Sequence, residues 1–240
     1  MNKFLKDILR EINLYKWYLI SALAFIVLSY SSYIFFNEPT INQIGDEDGF
    51  FENLTALVFF LTFAIFVTLF IKKRYPILLL FAAIFFIGTG EEISWGQRIF
   101  QIQTPEELQK ENVQKELNFH NLKVFSKQEK DDILTINFLY KLFWLSYCFL
   151  LPLLFIRVKF IDKIVNAIKL PVPPVSVGFL FIGNWFLFKI IKDYLLSDGK
   201  SLQYYDLATE VGETNSAMLF FMVSLIFLVY SHKILNYKND

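Results

Sequence analysis

Residues 54–71 carry no charged side chain, and neither do residues 17–36 or 76–90. Blocks of this kind constrain the fold more than any motif does, because about 20 residues of helix cross a bilayer core at roughly 1.5 Å each. Hydrocarbon offers no partner to backbone N–H and C=O groups, so each block must satisfy its own as a helix. Three further stretches have the same character with fewer apolar residues. Residues 134–156 carry Lys141, residues 175–194 carry Lys189, Lys192 and Asp193, and residues 214–231 carry no charge. The expectation is an all-α, polytopic integral membrane protein of one domain over 1–240. It has about six spans, at 17–36, 54–71, 76–95, 134–156, 175–194 and 214–231.

Composition agrees. Hydrophobic residues make up 55%, and Phe alone is 29 of 240. With 9 Gly and 7 Pro the chain is too poor in breakers to be disordered. One cysteine excludes an intramolecular disulfide and a Cys-based zinc module, and Cys148 reads as packing. Lys and Arg number 23 against 23 Asp and Glu, so no net positive charge points to nucleic acid.

Basic residues set the orientation. Lys3, Lys6, Arg10 and Lys16 precede the first span, Lys72, Lys73 and Arg74 separate the second from the third, and Arg157, Lys159, Lys163 and Lys169 follow the fourth. Segment 37–53 has none. Both termini are therefore expected in the cytoplasm, with the chain in the cell (plasma or inner) membrane. The first block is too long for a signal peptide and lacks a small-x-small cleavage site, so it reads as a retained anchor. The sizeable outer loop, about 99–133, should be helical. Thr104-Pro105-Glu106-Glu107 is a helix start with Thr as N-cap, and Leu108, Val113 and Leu117 would form its apolar side. Ser126-Lys127-Gln128-Glu129 reads as a capping box before the fourth span.

Polar residues gather at one depth. Counted outward from the basic ends, Glu52, Glu91, Glu92, Asn137, Lys141, Lys189 and Glu213 all fall in the outer part of their helices. Intramembrane charges cost about 2.5–3.5 kcal/mol each on the lenient scale, and persist where they pair or line a wet cavity. An outward-opening polar cavity is therefore expected. Gly88-Thr89-Gly90-Glu91-Glu92-Ile93-Ser94-Trp95-Gly96-Gln97-Arg98 is the densest run. Its glycines invite close approach of another backbone, and Arg98 is expected on the face of Glu91, two turns out. Glu210 and Glu213 share a face if helical, Asn118-Phe119-His120-Asn121 supplies an outer histidine, and His232 falls at the inner end of the sixth span.

These residues suggest candidate roles. Glu91, Glu92 and His120 are candidate catalytic groups, since carboxylates and an imidazole held together move protons near neutral pH. Arg98, Lys189, Asn121 and Asn215 are candidate substrate-binding groups, Arg98 for an anion such as a lipid phosphate. Glu52, Glu91, His120, Glu210 and Glu213 are candidate ligands for a divalent metal, hard or borderline given mostly oxygen donors.

Four runs together resemble a group of uncharacterised bacterial multipass membrane proteins. They are Glu-Asp-Gly-x-x-Glu-x-x-Thr-Ala at 47–56, Gly-Glu-Glu-Ile-Ser-Trp-Gly-Gln-Arg at 90–98, Asn-Phe-His-Asn at 118–121 and Glu-Thr-Asn at 213–215. The resemblance spans about 46 to 216 and implies which residues act together, not an activity. A second, defective similarity is to intramembrane proteases of the CAAX-processing type, which carry Glu-Glu-x-x-x-Arg, Phe-x-x-x-His and His-x-x-x-Asn. Glu91-Glu92 is similar, but Arg98 comes two residues late. Phe119 adjoins His120 instead of preceding it by four, and His232 with Asn236 falls on the opposite side.

The leading expectation is an outer-leaflet, membrane-embedded hydrolase acting on a lipid or membrane peptide through the Glu/His cluster. A structural or partner-binding subunit with an interhelical ion-pair network is the alternative. An ion-coupled transporter is a third reading, opposed by nearly featureless inner halves such as 77–86, and by the lack of an internal repeat.

Overall fold

The computed structural model describes residues 3–45, 49–125, 135–197 and 202–231. The proposed capping box at 126–129, the acids Glu47 and Asp48, and His232 lie outside the described residues. The described chain is all-helical: α1 (Lys3–Phe35), α2 (Glu38–Gly45), α3 (Phe50–Lys73), α4 (Pro76–Glu92), α5 (Gln97–Phe100), α6 (Glu106–Glu111), α7 (Ile136–Trp144), α8 (Leu151–Arg157), α9 (Lys159–Ile168), α10 (Val175–Ser197) and α11 (Leu202–Val229). A π turn, Leu145–Leu150, joins α7 to α8. Among the described residues, five helices are long and apolar enough to cross a membrane: those over Phe4–Tyr33, Phe50–Lys73, Ile136–Arg157, Val175–Tyr194 and Leu207–Val229.

The remaining expected span, 76–95, corresponds to α4, and it is shorter than the sequence suggests. It has 17 residues and ends at Glu92, not at Trp95. That is about 25 Å of helix against a core of about 30 Å. Ser94, Trp95 and Gly96 all take positive φ (45°, 54° and 76°), which turns the chain back on itself. Arg98 therefore belongs to the separate helix α5 and not to a continuation of α4, and its side chain lies outside the described residues. Helix α6 also begins later than expected, at Glu106, with Pro105 in the N-cap position. Thr104 does not cap it: its hydroxyl accepts from Gln97 Nε2 (2.7 Å) and its carbonyl from Gln109 Nε2 (2.7 Å). The helix stops before Val113, which is exposed, so the expected Leu108–Val113–Leu117 face does not form.

Helix α11 is central, packed against α1, α2, α3 and α10. Aromatic rings tie the bundle together. Phe66 of α3 stacks on Phe81 (5.2 Å) and Phe85 (5.7 Å) of α4, Phe85 meets Phe220 of α11 (5.3 Å), Phe220 meets Phe181 of α10 (4.9 Å), and Phe181 stacks on Trp144 of α7 (5.7 Å). In hydrocarbon the solvent gives little drive to helix association, so packing of this kind carries it, each ring pair adding about 0.5–1.5 kcal/mol.

One end of the bundle is basic. Lys72 and Lys73 close α3, and Arg74 in the left-handed conformation starts the tight turn into Pro76. There the Glu11 carboxylate of α1 accepts from Val175 N (3.1 Å), Ser176 N (2.8 Å) and Ser176 Oγ (2.6 Å), so it caps α10 from a distant helix. Helix α9 leaves Phe160, Ile164 and Ile168 exposed along one stripe, with Lys159 and Lys163 on the same helix. The opposite end of the bundle holds Glu52, Glu92, Glu210 and Glu213, and is called the polar end below.

The π turn has a local cause. Pro152 has no N–H to give to the carbonyl of Cys148, and its ring would crowd that carbonyl, so the helix widens there. Helix α10 presses on the widened turn at Gly178, where a Cβ would stand 2.4 Å from the Cys148 carbonyl oxygen. Gly178→Val is therefore expected to destabilise the bundle by about 3 kcal/mol, the upper end for overpacking. Thermal unfolding in detergent checks this, and an unchanged midpoint would show that α10 does not sit this close.

Candidate functional site

The polar end is assembled from both ends of the sequence. Helix α3 brings Glu52 in its first turn, α4 brings Glu91 and Glu92 at its close, and α11 brings Glu210 and Glu213. Because α11 begins at Leu202, both of its acids lie inside a continuous helix and not at its start. Thr214 fixes the register of α11 on α3. Its hydroxyl pairs with Thr55 Oγ1 (2.8 Å) and reaches the Phe51 carbonyl (3.1 Å).

Glu91 and Glu92 have separate surroundings, as their angular separation on a helix suggests. Glu91 is saturated. It accepts from Trp95 Nε1 (2.7 Å), Phe119 N (2.7 Å) and His120 N (2.8 Å), and its Oε2 lies 3.3 Å from His120 Nδ1. With a carboxylate as acceptor, Nδ1 carries the imidazole proton and Nε2 is the basic nitrogen. The His120 side chain remains 34% exposed against 13% for Glu91, so the ring is held yet reachable.

The turn after α4 exists to make this grip. Trp95 folds back so that its ring lies over Gly90, where a Cβ would meet it at 2.9 Å. Loop 112–122 is then knitted to the turn. Ser94 Oγ donates to Glu116 Oε2 (2.6 Å), Asn118 Nδ2 donates to Glu116 Oε2 (3.0 Å), and Leu117 N donates to Gln97 Oε1 (2.7 Å). Asn112 organises the loop from within: its Oδ1 accepts from Gln114 N (2.9 Å) and Glu116 N (3.3 Å), and its Nδ2 donates to the Asn118 carbonyl (2.7 Å). Asn121 donates to Gln114 Oε1 within the same loop.

Glu92 points into the bundle. It feels the charges of Glu213, Glu210, Glu52 and Glu91, in that order. Glu213 in turn feels His120, Lys192 and Lys141. Glu92 and Glu213 are both half-buried. A crevice of about 120 Å³ opens beside Glu213, between α7, α10 and α11. It is lined by Lys141, Lys192 and Tyr140, over a floor that includes Trp144 and Phe181.

The candidate binding residues are distributed differently. Lys189 is exposed and rides over the Trp185 ring at 6.0 Å, while Lys192, one turn on, lines the crevice. Asn215 is fully buried on another side of α11, accepting from Ser29 Oγ (2.8 Å), with its amide nitrogen unpartnered. Asn184, which sequence reading passed over, bridges three helices. It accepts from Tyr30 (3.1 Å) and donates to the Gly212 carbonyl (3.1 Å) and Ser216 Oγ (3.2 Å). An Asn in the middle of an apolar span was the signal available for it.

Among the described residues no three His, Cys, Asp or Glu side chains are placed to hold one ion. Glu52, Glu91, Glu210 and Glu213 act on Glu92 through their charge, and His120 acts on Glu213 in the same way. Comparisons with protein-family models, with curated proteins and with solved structures return no match.

Proposed function

We propose that this chain is a membrane-embedded hydrolase with its acid–base site at the outer leaflet of the cell membrane. The observation that carries the reading is the Glu91–His120 pair: a carboxylate holds the imidazole at Nδ1, and the ring stays partly exposed within reach of the Glu213 charge. This is the arrangement that makes histidine a general base at neutral pH. His120 Nε2 takes a proton from water, the water oxygen bonds to the ester or amide carbon, and the imidazolium returns the proton to the leaving group as its bond breaks. Glu92 and Glu213 favour the imidazolium by charge.

The topology follows the same reading. The α4 helix acts as a further span despite its length, both termini are cytoplasmic, and the basic end faces inward. Helix α9 then lies along the inner headgroup boundary with its Phe160–Ile164–Ile168 stripe in the acyl region. A transporter is disfavoured by the middle of the bundle, where Thr62, Thr68 and Ser224 bond their own helix backbone.

The test is product formation. The protein is reconstituted in vesicles of mixed phospholipids carrying a membrane peptide, and products are read by mass spectrometry. Glu92→Gln is expected to insert normally and slow turnover about tenfold, as loss of one charge near a developing cation would. The alternative, a subunit with an ion-pair network, draws support from Lys141 and Lys192 beside Glu213. It requires that exchanging Glu213 with Lys192 preserve function, and that neither lipid nor peptide be cleaved.

A further inference from the structure

We propose that the crevice between α7, α10 and α11 binds the phosphate of an anionic phospholipid that enters sideways from the outer leaflet. This deepens the hydrolase reading by naming its substrate class, and it rests on that reading for the placement of α7 and α10 in the bilayer.

The shape comes first. Helix α10 packs closely on the π turn, but α7 reaches α10 and α11 mainly through long aromatic side chains: Trp144 to Phe181, and Tyr140 and Phe143 to Phe220. The two helices therefore part toward the polar end, and the crevice occupies the gap. A gap between two spans opens onto lipid and not only onto water. The helices on either side present Leu139 and Leu142 on α7, and Phe186 and Ile190 on α10, as exposed apolar residues along which acyl chains can run.

The charge pattern selects the headgroup. Lys141 and Lys192 line the crevice against one acid, Glu213, so its lining is net positive. The Tyr140 hydroxyl is buried beside Ser216 and Glu213 without a hydrogen bond of good geometry. It is a donor available to a phosphate oxygen. Two ammonium groups, a phenol donor and an aromatic floor suit a phosphate on an apolar tail. A volume of about 120 Å³ admits a headgroup fragment and leaves the chains outside.

The test is native mass spectrometry of the full chain released from detergent micelles carrying either phosphatidylglycerol or phosphatidylcholine. Wild type is expected to retain one phosphatidylglycerol with about tenfold preference, the effect of one charge-assisted contact. Lys141→Gln/Lys192→Gln should abolish that preference, and Lys163→Gln on α9 should keep it. His120→Ala should also keep it, which separates binding from catalysis. If His120→Ala removes turnover on some substrate while phosphatidylglycerol is never preferred, the hydrolase reading stands and this proposal falls. Equal retention of the two lipids, retention unchanged in the double variant, or displacement by an equal concentration of inorganic phosphate would each overturn it, the last by making the crevice a free-anion site.

Discussion

Glu91→Ala is expected to release loop 112–122 from the end of α4. Three donors lose their acceptor at once: the amides of Phe119 and His120 and the indole of Trp95. Hydrogen bonds to a charged group contribute about 1.5–3 kcal/mol each. Loss of two or more should speed amide exchange at Phe119 and His120 by about a hundredfold or more. Turnover should fall with it, because His120 loses its orientation. Glu91→Gln is not a neutral control: its amide nitrogen must replace one of two oxygens that both face donors. Exchange measured residue by residue decides the matter. Unchanged protection at Phe119 and His120 would mean that Glu91 does not hold the loop.

The spans were legible because absence of charge is a local property that needs no tertiary information. The end of α4 was not. Its helical pattern continues in letters through Trp95, and the chain turns there because Trp95 bonds Glu91 and covers Gly90, while Phe119 and His120 arrive from a loop more than twenty residues on. Only the glycines hinted at it. The start of α6 was displaced by one residue for a similar reason: Thr104 has a better-placed partner in Gln97 than in the helix it precedes. Depth counting brought Glu52, Glu92 and Glu213 to one end, since helix rise is constant. It could not say which lysine of α10 turns inward, because a hundred degrees per residue decides between Lys189 and Lys192, and the axis of rotation is set by packing.

The second large effect concerns His120. General acid–base catalysis contributes about 10²–10⁴-fold, and His120→Ala should lose turnover on that scale. The backbone amide at position 120 would still donate to Glu91, so the loop should stay in place. The most direct measurement is therefore turnover of His120→Ala in proteoliposomes with and without added imidazole. The account predicts a fall of about a hundredfold or more, partly restored by imidazole entering the space of the missing ring. Turnover equal to wild type in His120→Ala would contradict it.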